Sequence, residues 1–262
     1  MSAYFNFAKV YDLFMEDVPY DKWVNYIIDI FNYYSVPPGL VLDLGCGTGN
    51  ITQRLSQKGY DMIGVDNSEE MLMVAQEKAK GECLDILYLH QDMREFELYG
   101  TVKAIISTCD SINYIIEEDD LLNVFKLVNN YLDPGGLFVF DLNTKYKYKH
   151  VLGDRIFAEN KEESSYIWQN CYYEKDGINE YNLTLFFEVS QGLFNRFEET
   201  HYQRAYSFDD IKMLLEDAGL EFLSIYDALT FELPKEDSER VYIIAKEKKQ
   251  SKKYVNFCIN NY

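Results

Sequence analysis

Val41-Leu-Asp-Leu-Gly-Cys-Gly-Thr-Gly-Asn50 is the stretch of this sequence that decides the fold. A short apolar run at 40–44 ends directly at the glycines, and 51–58 follows with the spacing of an amphipathic helix. Glycines let the backbone pass close to a ligand, and the N-terminus of the next helix supplies free N–H groups. The stretch therefore predicts a strand, a ligand-binding glycine loop and a helix.

The alternation of strand and helix continues on both sides of this loop. Apolar residues at helical spacing over 20–34 predict a helix before it. After it, the sequence predicts strands at 60–66, 86–90, 102–107, 137–142, 220–226 and 241–246, and helices at 68–80, 119–131 and 207–218. Such repetition is typical of a doubly wound α/β fold with a mostly parallel, seven-stranded sheet.

One segment interrupts the alternation. Over 145–205 the sequence is rich in Tyr, Phe and Glu, and two alternating stretches flank Ser190-Gln-Gly192, which predicts a hairpin. We expect an antiparallel β insert that caps the site. The predicted organisation is an N-terminal lid and helix (1–39), a ligand-binding core (40–144), the insert (145–205), the C-terminal part of the core (206–247) and a tail (248–262).

Composition argues against several classes of protein. The 262 residues are 47% hydrophobic without an apolar run that could cross a bilayer, so we expect a cytoplasmic protein with no membrane partner. Five scattered cysteines and three histidines predict neither a disulfide framework nor a metal site. The net charge of −19 favours a small-molecule partner over nucleic acid and leaves the oligomeric state open.

The spacing of the glycines argues against a dinucleotide. A nicotinamide-binding loop would read Gly-x-Gly-x-x-Gly, whereas here the third glycine comes one residue earlier and Asn50 holds the sixth position. Asp43, two residues before Gly45, is unfavourable for a pyrophosphate but suits a cationic ammonium. Asp66 ends the second predicted strand, 21 residues after Gly45, where a carboxylate can accept from both hydroxyls of a ribose.

These residues resemble the class I S-adenosylmethionine-dependent methyltransferases, whose first motif reads much like Asp43-Leu-Gly-Cys-Gly-Thr-Gly49. Asp66 in Gly64-Val-Asp-Asn-Ser68, Asp92 after the third strand and Pro134-Gly-Gly136 before the fifth match the same family. The resemblance spans roughly 41–143. It implies a Rossmann-like core, S-adenosyl-L-methionine as the cofactor and S-adenosyl-L-homocysteine as its product.

The same resemblance implies a set of cofactor-binding residues. Asp92 would accept from the adenine amino group, Met71 and Met93 would contact the ring, and Cys109 would lie beneath the methionine part. Phe7-Ala-Lys-Val-Tyr-Asp12 and Tyr20-Asp-Lys-Trp23 are similar to a segment that folds over the cofactor in a subset of the family. The expected cofactor residues are Tyr11, Trp23, Asp43, Gly45, Cys46, Gly47, Gly49, Asp66, Asn67, Met71, Asp92, Met93 and Cys109.

The acceptor side is less well defined. Cys109-Asp-Ser-Ile-Asn-Tyr114 stands where methylases of adenine or glutamine show an Asn/Asp-Pro-Pro-Tyr pattern, and the Pro-Cys of cytosine methylases is absent. Asn113, Tyr114 and Arg204 are the candidate substrate residues. His201 or Glu199 is the candidate base for an acceptor that must lose a proton. Tyr11 could close the site over the reacting sulfonium, because an aromatic face attracts a cation. A turn asparagine and an ordinary hairpin histidine are the alternative interpretations.

The sequence thus predicts an S-adenosylmethionine-dependent methyltransferase that acts on an unidentified acceptor, most simply a small molecule. Three alternatives remain open. The first is a protein that binds S-adenosylmethionine without methyl transfer, and the second is an RNA methyltransferase of the same fold. The third, a nicotinamide oxidoreductase, is disfavoured by Asn50.

Overall fold

In a computed structural model, the chain forms a seven-stranded, mostly parallel sheet covered by helices and a separate four-stranded antiparallel sheet. The structure describes residues 11, 12, 14, 15 and 18–248. Within these residues, no helix combines the length and the apolar character needed to span a membrane.

Helices and strands alternate along the chain as the sequence predicts. The helices are α1 (Tyr20–Tyr33), α2 (Asn50–Gln57), α3 (Glu69–Gly81), α4 (Glu118–Tyr131) and α5 (Phe208–Asp217). The strands are β1 (Leu40–Leu44), β2 (Asp61–Asp66), β3 (Ile86–His90), β4 (Val102–Ser107), β5 (Leu132–Asn143), β6 (Ile156–Asn160), β7 (Ser164–Tyr173), β8 (Ile178–Ser190), β9 (Leu193–Arg204), β10 (Leu220–Asp227) and β11 (Arg240–Glu247).

The order of strands in the large sheet is β3-β2-β1-β4-β5-β11-β10. Strands β1 to β5 pair in parallel, and β11 is antiparallel to both of its neighbours. Strand order reverses between β1 and β4, which opens a crevice beyond the carboxyl ends of these two strands. The glycine loop follows β1 and therefore begins at this crevice.

The core lies on both faces of the large sheet. Side chains alternate along each strand, so Leu42 and Leu44 pack towards α4 and α5, whereas Val41 packs with α1 and α2. Ser68 and Ser207 cap the N-termini of α3 and α5. These packed layers hold the carboxyl ends of the strands in fixed positions.

Strand β5 begins earlier than its sequence predicts. Asp133-Pro-Gly-Gly136 reads as a turn before a strand at 137, but these residues lie within the strand as a bulge. Val102 pairs with Leu132 and Ala104 with Leu137, so four residues of β5 stand opposite Lys103 alone. Gly135 has a φ of 75°, which a residue with a side chain rarely adopts.

The second sheet contains β6 to β9 and includes the predicted hairpin, in which β8 and β9 pair in antiparallel fashion around Gln191 and Gly192. An additional element precedes this sheet. Residues Lys147–Leu152 form a π-helical turn, for which the sequence gives no signal. Within it, the buried Tyr148 donates its hydroxyl hydrogen to Gln203 Oε1 at 3.1 Å, which ties the turn to β9.

Candidate active site

A cavity of about 900 Å³ lies at the carboxyl ends of β1, β2 and β4, a volume that suits a small organic ligand. The glycine loop, the end of β2 and the loop after β4 form its floor and sides. The small sheet forms a further wall, to which it contributes Tyr181, Leu183, Glu199 and His201. Residues from the core and from the insert thus meet around one space.

Two glycines of the loop leave room for a ligand in different ways. Gly45 has a φ of 83°, and a Cβ on it would lie 2.8 Å from Ser111, so a side chain does not fit there. Gly47 has a φ of 53°, and a Cβ on it would meet no heavy atom within 4 Å. Gly47 lines the cavity. The loop therefore leaves an open space in which a ligand can come close to the backbone.

Gly49 serves packing and does not line the cavity. It has a φ of 76° directly before α2, and a Cβ on it would lie 2.5 Å from the Tyr88 hydroxyl. The sequence predicts Gly49 as a cofactor residue because it belongs to the glycine motif. The structure instead places it where α2 meets β3.

Asp66 lies at the end of β2 and touches the glycine loop. Its Oδ2 accepts from the Gly47 amide at 2.7 Å and its Oδ1 from the Ser68 amide at 2.9 Å. Burial raises the pKa of the carboxyl, and these backbone hydrogen bonds oppose that rise. Each oxygen has more than one acceptor position, so both can also accept from a ligand hydroxyl. Asn67 lines the cavity beside it.

Asp43 lies beneath the loop with 1% of its surface exposed. Its Oδ2 accepts from the Thr52 hydroxyl at 2.6 Å. Burial raises its pKa to about 7, although the Thr52 hydrogen bond acts in the opposite direction. The carboxyl therefore exchanges its proton near neutral pH, and a cation bound nearby would favour the ionised form.

Asp92, Met71 and Met93, three of the predicted cofactor residues, line the cavity together. Asp92 forms a salt bridge with Arg94, at 2.5 Å between Arg94 Nη2 and Asp92 Oδ2. The side-chain hydrogen bonds from Arg94 lower the pKa of Asp92. At this end of the cavity, the ionised Asp92 carboxylate, a hydrogen-bond acceptor, thus lies with two flexible apolar side chains.

The wall from the insert carries an aromatic and acidic cluster around His201. His201 Nε2 lies 3.1 Å from Glu199 Oε2, and the imidazole stacks on the Tyr181 ring at 4.7 Å between centroids. The Tyr181 and Tyr114 hydroxyls are hydrogen-bonded to each other. All four side chains line the cavity. A histidine that is oriented by a carboxylate has the arrangement of a general base.

Comparisons with known proteins agree over nearly the whole chain. The methyltransferase domain family matches residues 41–136. A protein of Geobacillus sp. (strain WCH70), named as a candidate methyltransferase, is 37% identical over 93% of this chain and 99% of its own length. The crystal structure of an S-adenosylmethionine-dependent methyltransferase from Clostridium acetobutylicum has a TM-score of 0.85 at 34% identity and covers 94% of this chain and 100% of its own.

This chain is a member of the class I S-adenosylmethionine-dependent methyltransferase family. A more distant structure, CalS10 from Micromonospora echinaspora, is described as an amino pentose methyltransferase with S-adenosylmethionine bound. It has a TM-score of 0.72 at 15% identity and covers 91% of this chain and 97% of its own, so it shows the shared fold alone.

The N-terminal part of the methyltransferase also contributes to the site. Tyr11, Trp23, Cys46 and Cys109, which the sequence predicts as cofactor residues, line the cavity. Asp12 was not among the predicted residues, yet its Oδ1 accepts from Thr48 Oγ1 at 2.6 Å and so joins this segment to the glycine loop. Residues 1–10, which hold most of the predicted lid motif, lie outside the described residues.

Two of the three predicted substrate residues of the methyltransferase are engaged elsewhere, and neither lines the cavity. Asn113 is fully buried, donates to the Arg204 carbonyl at 2.8 Å and accepts from the Asn143 amide at 2.9 Å. The Arg204 guanidinium donates to the Ile116 carbonyl at 2.8 Å and to Glu118 at 2.5 Å. Both residues thus fasten the insert to the loop after β4. Tyr114 alone of the three reaches the cavity.

Sequence reasoning missed a charged cluster at the base of the cavity. Arg240, at the start of β11, donates to Asp110 Oδ1 at 2.6 Å and to Asp141 Oδ2 at 2.5 Å. Asp141 is fully buried. Asp110 and Arg240 are 130 positions apart, so no local pattern could have joined them. Cys109 and Asp110 have φ values of 59° and 55°, a strained conformation that is frequent at functional sites.

Proposed function

We propose that this protein transfers the methyl group of S-adenosylmethionine to a small-molecule acceptor and releases S-adenosylhomocysteine. The observation that carries the proposal is the contact between Asp66 and the glycine loop at the cavity. There, the Asp66 carboxylate, which can accept hydrogen bonds from a ligand, lies beside the open space at Gly47. Membership of the family supports the same cofactor.

The cavity residues fit the chemical parts of this cofactor. Asp66 can accept from two ribose hydroxyls, and Asp92 can accept from an adenine amino group. Asp43 provides a carboxyl that a nearby positive charge ionises. The Tyr11 ring offers an aromatic face to a cation, an attraction of about 1 kcal/mol.

S-adenosylmethionine, when bound, supplies an electrophilic methyl group on a positively charged sulfur. The chain contributes alignment and exclusion of water, because a methyl transfer is an in-line displacement that needs no covalent enzyme intermediate. The bond between the acceptor atom and the methyl carbon forms as the bond from carbon to sulfur breaks. The acceptor's electron pair becomes the new bond, and the sulfur keeps the old one.

His201 is the base in this proposal. It takes the proton of an acceptor hydroxyl or ammonium, and Glu199 stabilises the imidazolium that forms. The stacked Tyr181 ring keeps the imidazole in place against the wall of the cavity. Glu199 and Tyr181 are therefore positioning residues, whereas His201 touches the acceptor.

A small acceptor fits the surroundings of the site. The net charge of −19 repels polyanions at long range, which disfavours RNA. The amino pentose methyltransferase with the same fold is described as acting on a small molecule. Salt-sensitive binding of RNA by the purified protein would revive the alternative.

Isothermal titration with S-adenosylmethionine, S-adenosylhomocysteine and NAD tests the cofactor assignment. We expect both adenosyl compounds to bind with a Kd on the order of micromolar, or about −8 kcal/mol, and NAD not to bind. Binding of NAD alone would contradict the assignment of the glycine loop. If the cofactor binds but broad pools of small molecules yield no S-adenosylhomocysteine, the protein is a binding module and not an enzyme.

Replacement of the base tests the catalytic assignment. With an acceptor from that screen, His201→Gln should lower kcat about 100-fold, because proton removal contributes a factor of this order. The Kd for S-adenosylhomocysteine should stay unchanged. His150→Gln is the matched control, since His150 lies on the π-helical turn and does not line the cavity. An unaltered kcat in His201→Gln would show that His201 is not the base.

A further inference from the structure

Three lysine or arginine side chains of the described part of the chain line the large cavity, and two of them form ion pairs with carboxylates. Arg94 pairs with Asp92 and Asp120. Arg240 pairs with Asp110 and Asp141. Lys147 is the exception. Among the described residues it forms no ion pair, and its Nζ donates to the amide oxygen of Asn143 at 2.9 Å.

No carboxylate of the described residues lies within ion-pair distance of the Lys147 ammonium. Burial lowers the pKa of this ammonium and the positive charge of Arg240 lowers it further, whereas the more distant charges of Asp110, Asp141 and Glu239 raise it. An ammonium has three donor hydrogens, and Asn143 accepts only one of them. Because a partly desolvated charge is stabilised by an opposite charge, the remaining donors favour an anionic ligand over a neutral one.

The backbone around Lys147 is fixed before any ligand arrives. The Lys147 amide donates to Thr144 Oγ1 at 3.1 Å. The next residue, Tyr148, is fully buried and hydrogen-bonded to Gln203. Both residues belong to the π-helical turn, a kind of element that is frequently found at functional sites. The ammonium is thus held from a rigid base.

Lys147 also borders a second cavity of about 590 Å³. Trp23 and Arg240 line both cavities with it, and the Trp23 ring lies over the Arg240 guanidinium at 5.4 Å. Residues 227–229, Lys235 and residues 237–239 form much of the remaining wall. The ammonium therefore borders both cavities, and in our proposal the second one holds the part of the acceptor that does not react.

We propose that Lys147 binds an anionic group, a carboxylate or a phosphate, of the methyl acceptor. The proposal rests on the proposed function and names the substrate class. The acceptor's nucleophile lies towards His201, and its anionic group lies against Lys147. The positive sulfur of the donor attracts the same anion before transfer and loses its charge afterwards, so methyl transfer itself weakens the hold on the product.

Inorganic phosphate and acetate serve as probes of this subsite. In thermal melts at constant ionic strength, with and without S-adenosylhomocysteine, at least one probe should raise the melting temperature of the wild type in a saturable manner. A response to phosphate alone identifies a phosphate-bearing acceptor, and a response to acetate identifies a carboxylate. The response should disappear in Lys147→Gln and return in Lys147→Arg.

Lys103→Gln is the matched control, because Lys103 is a lysine outside the cavity that pairs with Asp133 at 2.8 Å. An equal response to the probes in Lys147→Gln and in wild type would overturn the proposal, as would the absence of a saturable response in the wild type. Titration of Lys147→Gln with S-adenosylhomocysteine tests whether Lys147 binds the cofactor and not the acceptor. A loss of affinity above about tenfold, or 1.4 kcal/mol, would assign Lys147 to the cofactor's own carboxylate and overturn the proposal.

Failure of the anionic subsite and failure of the cofactor assignment give different results. If the wild type binds neither S-adenosylmethionine nor S-adenosylhomocysteine, the proposed function fails whatever the probes do. If both bind and the anion response does not depend on Lys147, only the anionic subsite fails.

Discussion

Asp43 and Asp66 lie near the ends of neighbouring parallel strands, and burial raises the pKa of both, but different hydrogen bonds oppose this rise. Asp66 accepts from two backbone amides, and Asp43 accepts from one hydroxyl in a fully desolvated position. Hydrogen bonds from N–H groups favour a carboxylate, whereas burial favours the neutral acid. Asp66 is therefore suited to accept hydrogen bonds from ligand hydroxyls. The ionisation of Asp43, by contrast, can change with the charge of the ligand.

Removal of the Asp66 charge should weaken cofactor binding. Asp66→Asn turns one acceptor oxygen into a donor, so the affinity for S-adenosylhomocysteine should fall by about 2 kcal/mol, or roughly 30-fold. Isothermal titration measures this loss. Asp61→Asn, at the exposed opposite end of β2, is the control and should bind as the wild type does. Equal affinities in the two variants would refute the ribose assignment.

The raised pKa of Asp43 implies that the stability of the folded protein depends on pH. A carboxyl with a folded pKa of about 7 keeps its proton in the folded state over a range where the unfolded chain, at about 3.8, has lost it. Its contribution to stability is complete below the unfolded pKa and is lost as pH rises through the folded pKa. The ligand-free wild type should therefore lose stability from this group between about pH 4 and pH 7.

Asp43→Asn cannot titrate, so its melting temperature should exceed that of the ligand-free wild type by a few degrees at about pH 8 and match it more closely near pH 5. The same variant should bind S-adenosylmethionine more weakly, because it cannot provide a negative charge. Thermal melts at several pH values test the first statement. Parallel pH profiles for variant and wild type would contradict it.

Most of the predicted cofactor residues line the cavity, because they lie in contiguous motifs at strand ends, and their roles stay a prediction. On the acceptor side, the predicted His201 and Tyr114 line the cavity, whereas Asn113 and Arg204 do not. Asn113 and Arg204 were chosen for residue type and position, but sequence does not tell which way a side chain turns, and both are used to fasten the insert. Lys147 depends on a π-helical turn, and Arg240 on a contact that only the fold creates.

At the scale of elements, one buried ion network joins β5, β11 and the loop after β4. Arg240 contacts Asp141 on β5 and Asp110 beyond β4, and Gln203 of β9 donates to Asp110 Oδ2 at 2.6 Å. The desolvation of Asp141 raises its pKa, and the charge of Arg240 opposes this rise. The network thus holds together four elements that surround the acceptor half of the cavity.

Loss of one partner from this network should destabilise the protein strongly. Arg240→Met leaves Asp141 buried without its counter-ion, and the free energy of unfolding should fall by about 3 to 5 kcal/mol. The additional change Asp141→Asn should recover much of this loss, because it removes the unpaired charge. Urea denaturation of both variants provides the measurement. Equal stability of the single and double variants would show that the ion pair is not the cause.

The order of helices and strands could be predicted because hydrophobic periodicity follows burial, and two packed faces impose a strict pattern on each element. The sequence failed where backbone geometry departs from that pattern. Pro134 and two glycines suggested a turn, but pairing with β4 on one side carries the strand through a bulge. No residue type marks the π-helical turn, in which Tyr148 is fully buried.

The whole molecule carries a large excess of negative charge. At −19, repulsion between surface carboxylates opposes the compact state, and mobile ions screen it over about 10 Å at 0.1 M salt. The melting temperature should therefore rise when NaCl is increased from about 20 mM to about 500 mM at neutral pH.

The same titration near the sequence pI of about 4.5 serves as the control, because the net repulsion disappears there and the rise should be much smaller. A melting temperature that falls with salt at neutral pH would show that attractive ion pairs outweigh the repulsion.

Cys46 and Cys109 line the cavity in which a reactive methyl donor is proposed to bind. Thiolates are strong nucleophiles, and methylation of a cysteine in this position would place an additional methyl group in the cavity. Burial raises the pKa of both thiols well above the ordinary value, with nearby carboxylates adding to the effect. Both sulfurs therefore stay protonated, and the same desolvation that shapes the pocket protects the catalyst from self-alkylation.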